Sequence, residues 1–109
     1  MVRLKETINP NILEQYGFEK RLERKYDYKK HTSYYTTRYD YSFYKIYDNC
    51  FQSVTVYIEP FISTYGTTIH KAREVVANQH AFNCDKAVDL IVKLVIAGIF
   101  EYIESEETK

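Results

Sequence analysis

The densest apolar stretch lies near the C-terminus, where Ala87, Val88, Leu90, Ile91, Val92, Leu94, Val95, Ile96 and Ala97 run almost unbroken. Lys86, Asp89 and Lys93 are its only polar positions, and their three- and four-residue spacing marks one face of a helix. The pattern therefore predicts a helix from Asn83 to Ala97, capped by Asn83 or Asp85 and apolar enough to be covered on most sides. Gly98 supplies the left-handed residue that closes a helix, and Ile99, Phe100, Tyr102 and Ile103 predict a short strand after it.

A second pattern has a period of two. Tyr35, Thr37, Tyr39, Tyr41 and Phe43 point one way and Thr36, Arg38, Asp40 and Ser42 the other, the alternation of a half-buried antiparallel strand. After Phe43 the apolar parity moves to Tyr44 and Ile46, which predicts a bulge near 43 and 44 or a strand buried on both faces. Asp48 and Asn49 are turn formers. Val54, Val56 and Ile58 then alternate against Thr55, Tyr57 and Glu59 as the next strand, limited by Pro60. Residues 18–30 fit either period, and strand is favoured. Toward the N-terminus, Asn9 and Pro10 predict the start of a short helix carrying Ile12, Leu13 and Tyr16 on one side. Gly17 closes it and Phe18 folds back toward Leu13. Residues 61–82 are the least decisive. Thr67 or Thr68 could cap a helix burying Ile69, Ala72, Val75 and Val76, whereas Arg73 to Ala77 could be an edge strand; the reading leans to helix.

In order, these elements predict one α+β domain over residues 1–109. It is a small antiparallel β-sheet with helices on one face, a short N-terminal helix, and a buried apolar C-terminal helix followed by a short strand. Leu90, Ile91, Leu94 and Val95 are expected to pack on Tyr39, Tyr41, Val54, Val56 and Ile58. A terminal helix too apolar for so small a sheet to cover alone also predicts homo-oligomerisation through its exposed remainder.

Composition narrows the function classes more than it names one. The 109 residues carry no formal net charge, with ten Lys/Arg against seven Asp/Glu in residues 1–50 and five against eight in 51–109. Such a balance argues against a protein that coats phosphates and against a wholesale acidic mimic of DNA. With no signal-peptide pattern and no run long enough to span a membrane, a cytoplasmic protein is expected. Cys50 and Cys84 read as reduced, structural thiols. Only Gly17, Gly66 and Gly98 are glycines, so no phosphate-cradling loop is present. His70, His80 and Cys84 lack the paired short spacings of a zinc site, and neither cysteine has an identifiable base at a fixed offset. Asp85 and Asp89 are most simply solvated. No catalytic residue, metal or cofactor is expected, and the chain is read as a non-enzyme.

Tyrosine is the compositional anomaly: eight of twelve fall between Tyr26 and Tyr47. Tyr and Arg are enriched at protein interfaces and their hot spots, which points to Tyr34, Arg38, Asp40 and Tyr44 on the outward side of the central strand, with Lys20, Arg21 and Arg24 as a charged rim. Set beside the basic 20–30 stretch, the same tyrosines suggest a rival reading. In it Lys20, Arg21, Arg24, Lys25, Tyr34 and Tyr35 bind single-stranded nucleic acid by stacking and phosphate contact.

The opening NPNILEQYGFEK and the ending AVDLIVKLVIAGIFEYIE resemble the ends of short uncharacterised proteins from phages and prophages of low-GC Gram-positive bacteria, over roughly a third of the chain. The matching motifs are helix closures, so no functional residue is implied. What the resemblance implies is a setting: a small accessory protein in the bacterial host cell that binds and inhibits or redirects one host protein, with anti-CRISPR inhibitors of CRISPR-Cas nucleases as one such class.

Overall fold

The computed structural model describes residues 1–45, 50–63, 66–79 and 86–104. The elements in chain order are β1 (Val2–Leu4), α1 (Ile12–Gln15), β2 (Glu19–Asp27), β3 (Thr32–Lys45), β4 (Cys50–Tyr57), β5 (Phe61–Ile62), β6 (Thr68–His70), β7 (Glu74–Gln79), α2 (Lys86–Ile96) and β8 (Phe100–Tyr102). Six strands form one antiparallel sheet in the order β2-β3-β4-β7-β1-β8, and β5 and β6 make a separate two-stranded ribbon. The α+β class read from the sequence holds.

Both helices end as their glycines predict. Gly17 and Gly98 have φ of +95° and +80°. At α1 the Phe18 N–H donates to the Leu13 carbonyl and the Gly17 N–H to Glu14; at α2 Ile99 donates to Leu94 and Gly98 to Val95. These paired bonds satisfy the carbonyls that a helix end leaves orphaned, and they fold an apolar residue (Phe18 or Ile99) back into the core. The first helix begins later than expected, with Asn11 in the capping position, while the Asn9 side chain accepts the Asn11 N–H in the turn before it. The expected caps Asn83 and Asp85 and the turn at Asp48 and Asn49 lie outside the described residues.

Alternation then sorts the sheet. Tyr39, Tyr41 and Phe43 of β3, Val54 and Val56 of β4, Val75 of β7 and Leu4 of β1 face the helix side. There they meet Leu13, Phe18, Ala87, Leu94, Ile99 and Phe100, with Leu90, Ile91, Val95 and Ile58 packed against them, as the pattern predicted. Gln52 is the polar member of this layer: its Oε1 accepts the Ala87 N–H at 2.7 Å, occupying a donor at the start of α2 that the helix cannot satisfy itself.

Three expectations are corrected. Thr68–His70 and Glu74–Gln79 are strands joined by a turn, not a helix, and β7 is central rather than an edge. Arg73 at φ +65° breaks any helical path there, and Val75 and Ala77 pair with Val56 and Val54. No bulge interrupts β3, because the ladder runs unbroken through Phe43–Gln52, Tyr44–Phe51 and Lys45–Cys50. Finally, α2 is covered on one side only. Val88, Val92 and Ile96, spaced one turn apart, remain 49%, 50% and 81% exposed.

The Tyr39 side chain links the helix layer to the sheet through a 3.0 Å hydrogen bond from its hydroxyl to Asn11 Oδ1. Burial, helped by the Glu14 carboxylate, pushes its phenol above the ordinary 10.0. A phenol held protonated more tightly in the folded state stabilises below its ordinary value, and that contribution is lost as pH rises past 10 through the raised folded value. Tyr39→Phe is expected to lose about 0.5 to 1.5 kcal/mol at neutral pH and to flatten the alkaline decline, both readable from urea midpoints across pH.

Candidate interaction surface

The other face of the sheet is polar. The β2–β3 register sets Arg21 opposite Arg38 and Glu19 opposite Asp40, and β3–β4 sets Asp40 opposite Thr55 and Ser42 opposite Ser53. Two arginines directly opposed would repel, and the carboxylates around them prevent it. Asp40 Oδ2 lies 3.2 Å from Arg21 Nε and 3.0 Å from Arg38 Nε, and its Oδ1 accepts the Thr55 hydroxyl at 2.9 Å. Arg21 also reaches Glu19 at 2.8 Å, Arg38 reaches Glu23 at 3.1 Å, and Lys25 approaches Glu23 at 3.4 Å. The result is a chain of alternating charges running along β2 and β3, neutral as a whole. Beside it Asn78 donates to Ser53 and Thr55. Arg21, Arg38, Asp40, Ser42, Ser53, Thr55, Tyr57 and Asn78 line an open groove of about 430 Å³.

At one end of this face the β5–β6 ribbon folds over the sheet. Tyr57 stacks on His70, ring centroids 4.7 Å apart and 12° from parallel, and Phe61 packs beside both. His70 Nδ1 sits 3.0 Å from Glu74 Oε2, so this histidine serves the ribbon's anchorage. Burial pushes the Tyr57 phenol up, and the nearby Arg38 charge opposes that shift. A larger groove of about 800 Å³ lies between the ribbon and the β2–β3 hairpin tip, lined among others by Arg24, Lys25, Tyr28, Lys29, Tyr34 and Phe61. Lys25 Nζ stands 4.3 Å over the Phe61 ring.

The structure thus divides the residues singled out from sequence. Arg21, Arg38 and Asp40 come together in the ionic chain. Tyr34, paired with Lys25, sits at the hairpin tip, whereas Lys20 and Arg24 pair with Tyr39 and Tyr35 on the helix side of β2. Tyr44 belongs to β3, and its side chain lies outside the described residues, as do Cys84 and His80. Ser42, Ser53, Thr55, Tyr57 and Asn78 were not anticipated. Their outward parity is legible, but their convergence depends on strand order. Among the described residues no three His, Cys, Asp or Glu side chains converge as a metal site, and no helix is long and apolar enough to cross a membrane. Compared with protein-family models, with curated proteins and with solved structures, the chain matches none of them.

Proposed function

We propose that this chain is a non-enzymatic binding protein that docks on another protein through the polar sheet face centred on Arg38 and Asp40, and so inhibits or redirects it. One observation carries the reading: the guanidinium groups of this face are already ordered and neutralised by carboxylates of the same face. A surface of fixed, mixed charge suits the mixed charge of a protein partner, and side chains ordered beforehand lose little further freedom on binding. A polyanion gains little from cations whose charge is spent. The resemblance at the two chain ends supplies the setting, a phage accessory protein acting on a host protein, with a CRISPR nuclease among the candidate targets.

Ser42 is exposed at the groove. Ser42→Arg is expected to leave the unfolding midpoint within about 0.5 kcal/mol while abolishing retention of a host protein that the tagged wild-type chain captures from lysate. A captured partner indifferent to Ser42→Arg would remove this face from the proposal.

The single-strand reading keeps a foothold of its own, since the hairpin-tip groove brings Arg24, Lys25 and Tyr34 together with Tyr28 and Lys29. An oligonucleotide arm in the experiment below decides it. Self-association through the Val88, Val92 and Ile96 stripe belongs to the same proposal, with a second copy as the occupant, because the stripe is wholly aliphatic and matches itself under a two-fold axis. Light scattering at high micromolar concentration is expected to show a species heavier than the monomer, and Ile96→Lys to return it to monomer. A wild-type monomer throughout counts against the stripe.

A further inference from the structure

The outer edge of β2 combines three features that point to one kind of ligand. First, β2 ends the six-stranded sheet, and among the described residues nothing pairs with its outer side. It is nine residues long, whereas the opposite terminal strand, β8, has three. In an antiparallel ladder alternate residues turn their N–H and C=O groups away from the partner, so about half of β2 presents unpaired backbone groups outward. Second, the β2–β3 hairpin runs past the helix layer. On the helix side Leu22, Tyr26 and Tyr35 are left 66%, 45% and 64% exposed, forming an apolar ledge along the edge.

Third, charge is distributed unequally between the two sides of the strand. On the polar face Arg21 and Lys25 are each matched by a carboxylate. On the ledge side Lys20 and Arg24 alternate with Leu22 and Tyr26, and neither is within ion-pair distance of a carboxylate among the described residues. Arg24 reaches only the Ser33 hydroxyl, at 3.1 and 3.3 Å. Unmatched positive charge therefore lines the edge on the side where the apolar surface is also uncovered.

We infer that β2 takes up an extended acidic peptide segment as an added strand. The inference rests on the reading of this chain as a protein-binding module and specifies the chemistry of the partner. The segment carries acidic residues opposite Lys20 and Arg24 and apolar residues opposite Leu22 and Tyr26. That is an acid and an apolar side chain on alternate positions of one strand face. The backbone edge favours a polypeptide over a nucleic acid, which has no ladder of N–H and C=O groups to offer. A second copy of β2 is disfavoured, because full-length antiparallel self-pairing sets Glu19 opposite Asp27 and Arg21 opposite Lys25, like charge against like.

The test uses the full chain and a fluorescein-labelled peptide, Val-Thr-Asp-Thr-Val-Thr-Asp, followed by fluorescence anisotropy. Saturable binding is expected, at least about tenfold tighter than that of the same peptide with both Asp replaced by Lys. The double variant Lys20→Glu, Arg24→Glu, both positions exposed, is expected to invert that preference. N-methylation of the peptide amides on its pairing edge is expected to abolish binding, a readout that side-chain electrostatics alone would not move. No binding up to about 1 mM peptide, equal binding of the N-methylated form, or a preference unmoved by the charge swap overturns the inference. So does displacement of the peptide by a short oligothymidylate whose own binding falls steeply with salt, which would assign the ledge to nucleic acid instead. If the peptide fails while Ser42→Arg still releases the captured partner, the polar face stands and the edge alone is withdrawn. A partner indifferent to Ser42→Arg withdraws the face whatever the peptide does.

Discussion

Leu94→Ala is expected to destabilise the domain by about 2 to 5 kcal/mol. Leu94 is fully buried, sits in the last turn of α2 and belongs to the cluster that includes Val54, Val56, Ile99 and Phe100. Its carbonyl also accepts the Ile99 N–H that closes the helix, so the residue holds both the helix-to-sheet contact and the start of the turn into β8. Truncation leaves a cavity between two layers whose spacing is fixed by neighbours on every side, and little collapse is available to relieve it. Small domains have about 5 to 15 kcal/mol in total, so the urea midpoint should fall by a large fraction of its value. Val92→Ala, at a half-exposed position of the same helix and measured at a concentration low enough for the chain to be monomeric, is the control and should cost at most about 1 kcal/mol. An unchanged midpoint in Leu94→Ala would remove this core assignment. A large loss in Val92→Ala would show that the outer stripe is covered in solution.

The two halves of α2 illustrate what a sequence can and cannot disclose. That Leu90, Ile91, Leu94 and Val95 face the sheet follows from period and from the polar stripe of Lys86, Asp89 and Lys93. How far the apolar remainder is covered depends on the width of the helix layer. Among the described residues two helices serve a six-stranded sheet, so Val88, Val92 and Ile96 stay open. Strand β1 is the opposite case. Val2, Arg3 and Leu4 alternate over three residues only, too short a run to register as a pattern, yet they pair on both sides, with β7 and β8, and Leu4 is fully buried. Its position is set by residues some 70 to 100 places away. Strand β7 departs from the helix its sequence suggests for a related reason: Val75, Val76 and Ala77 are apolar without interruption, which suits a central strand and a buried helix equally.

The candidate surface was legible as a direction but not as a constellation. Alternation along β3 put Arg38, Asp40 and Ser42 on the outward side, where they are found. That Arg21 meets Arg38, with Asp40 and Glu23 between them, follows from the β2–β3 register, which the hairpin connection at residues 28–31 fixes and which local composition does not encode. The same register separates Lys20 and Arg24 from Arg21 by placing them on the other face. A basic stretch that reads as one patch in sequence is thereby divided into a neutralised half and an unmatched half.

Gly17 and Gly98 allow the cost of helix closure to be split into its parts. Both lie in the left-handed region, where a β-carbon costs about 1 to 2 kcal/mol. At Gly98 the nearest atom to an added β-carbon is Lys5 Nζ at 3.8 Å, the movable end of a long side chain, so Gly98→Ala should lose that conformational cost and little more. At Gly17 the β-carbon would stand 2.8 Å from Tyr41 Cε2. The Tyr41 ring cannot readily retreat, because it packs edge-on against Phe18 at 5.5 Å and beside Phe43 at 4.7 Å. Overpacking of this kind adds about 1 to 3 kcal/mol, so Gly17→Ala should lose about 2 to 5 kcal/mol in all. A double-mutant cycle separates the contributions: in a Tyr41→Ala background the clash is absent, and Gly17→Ala should cost no more than Gly98→Ala does in the wild-type chain. If instead Gly17→Ala costs the same with and without the Tyr41 ring, the loss is wholly conformational, and the ring does not constrain the turn that joins α1 to the edge strand.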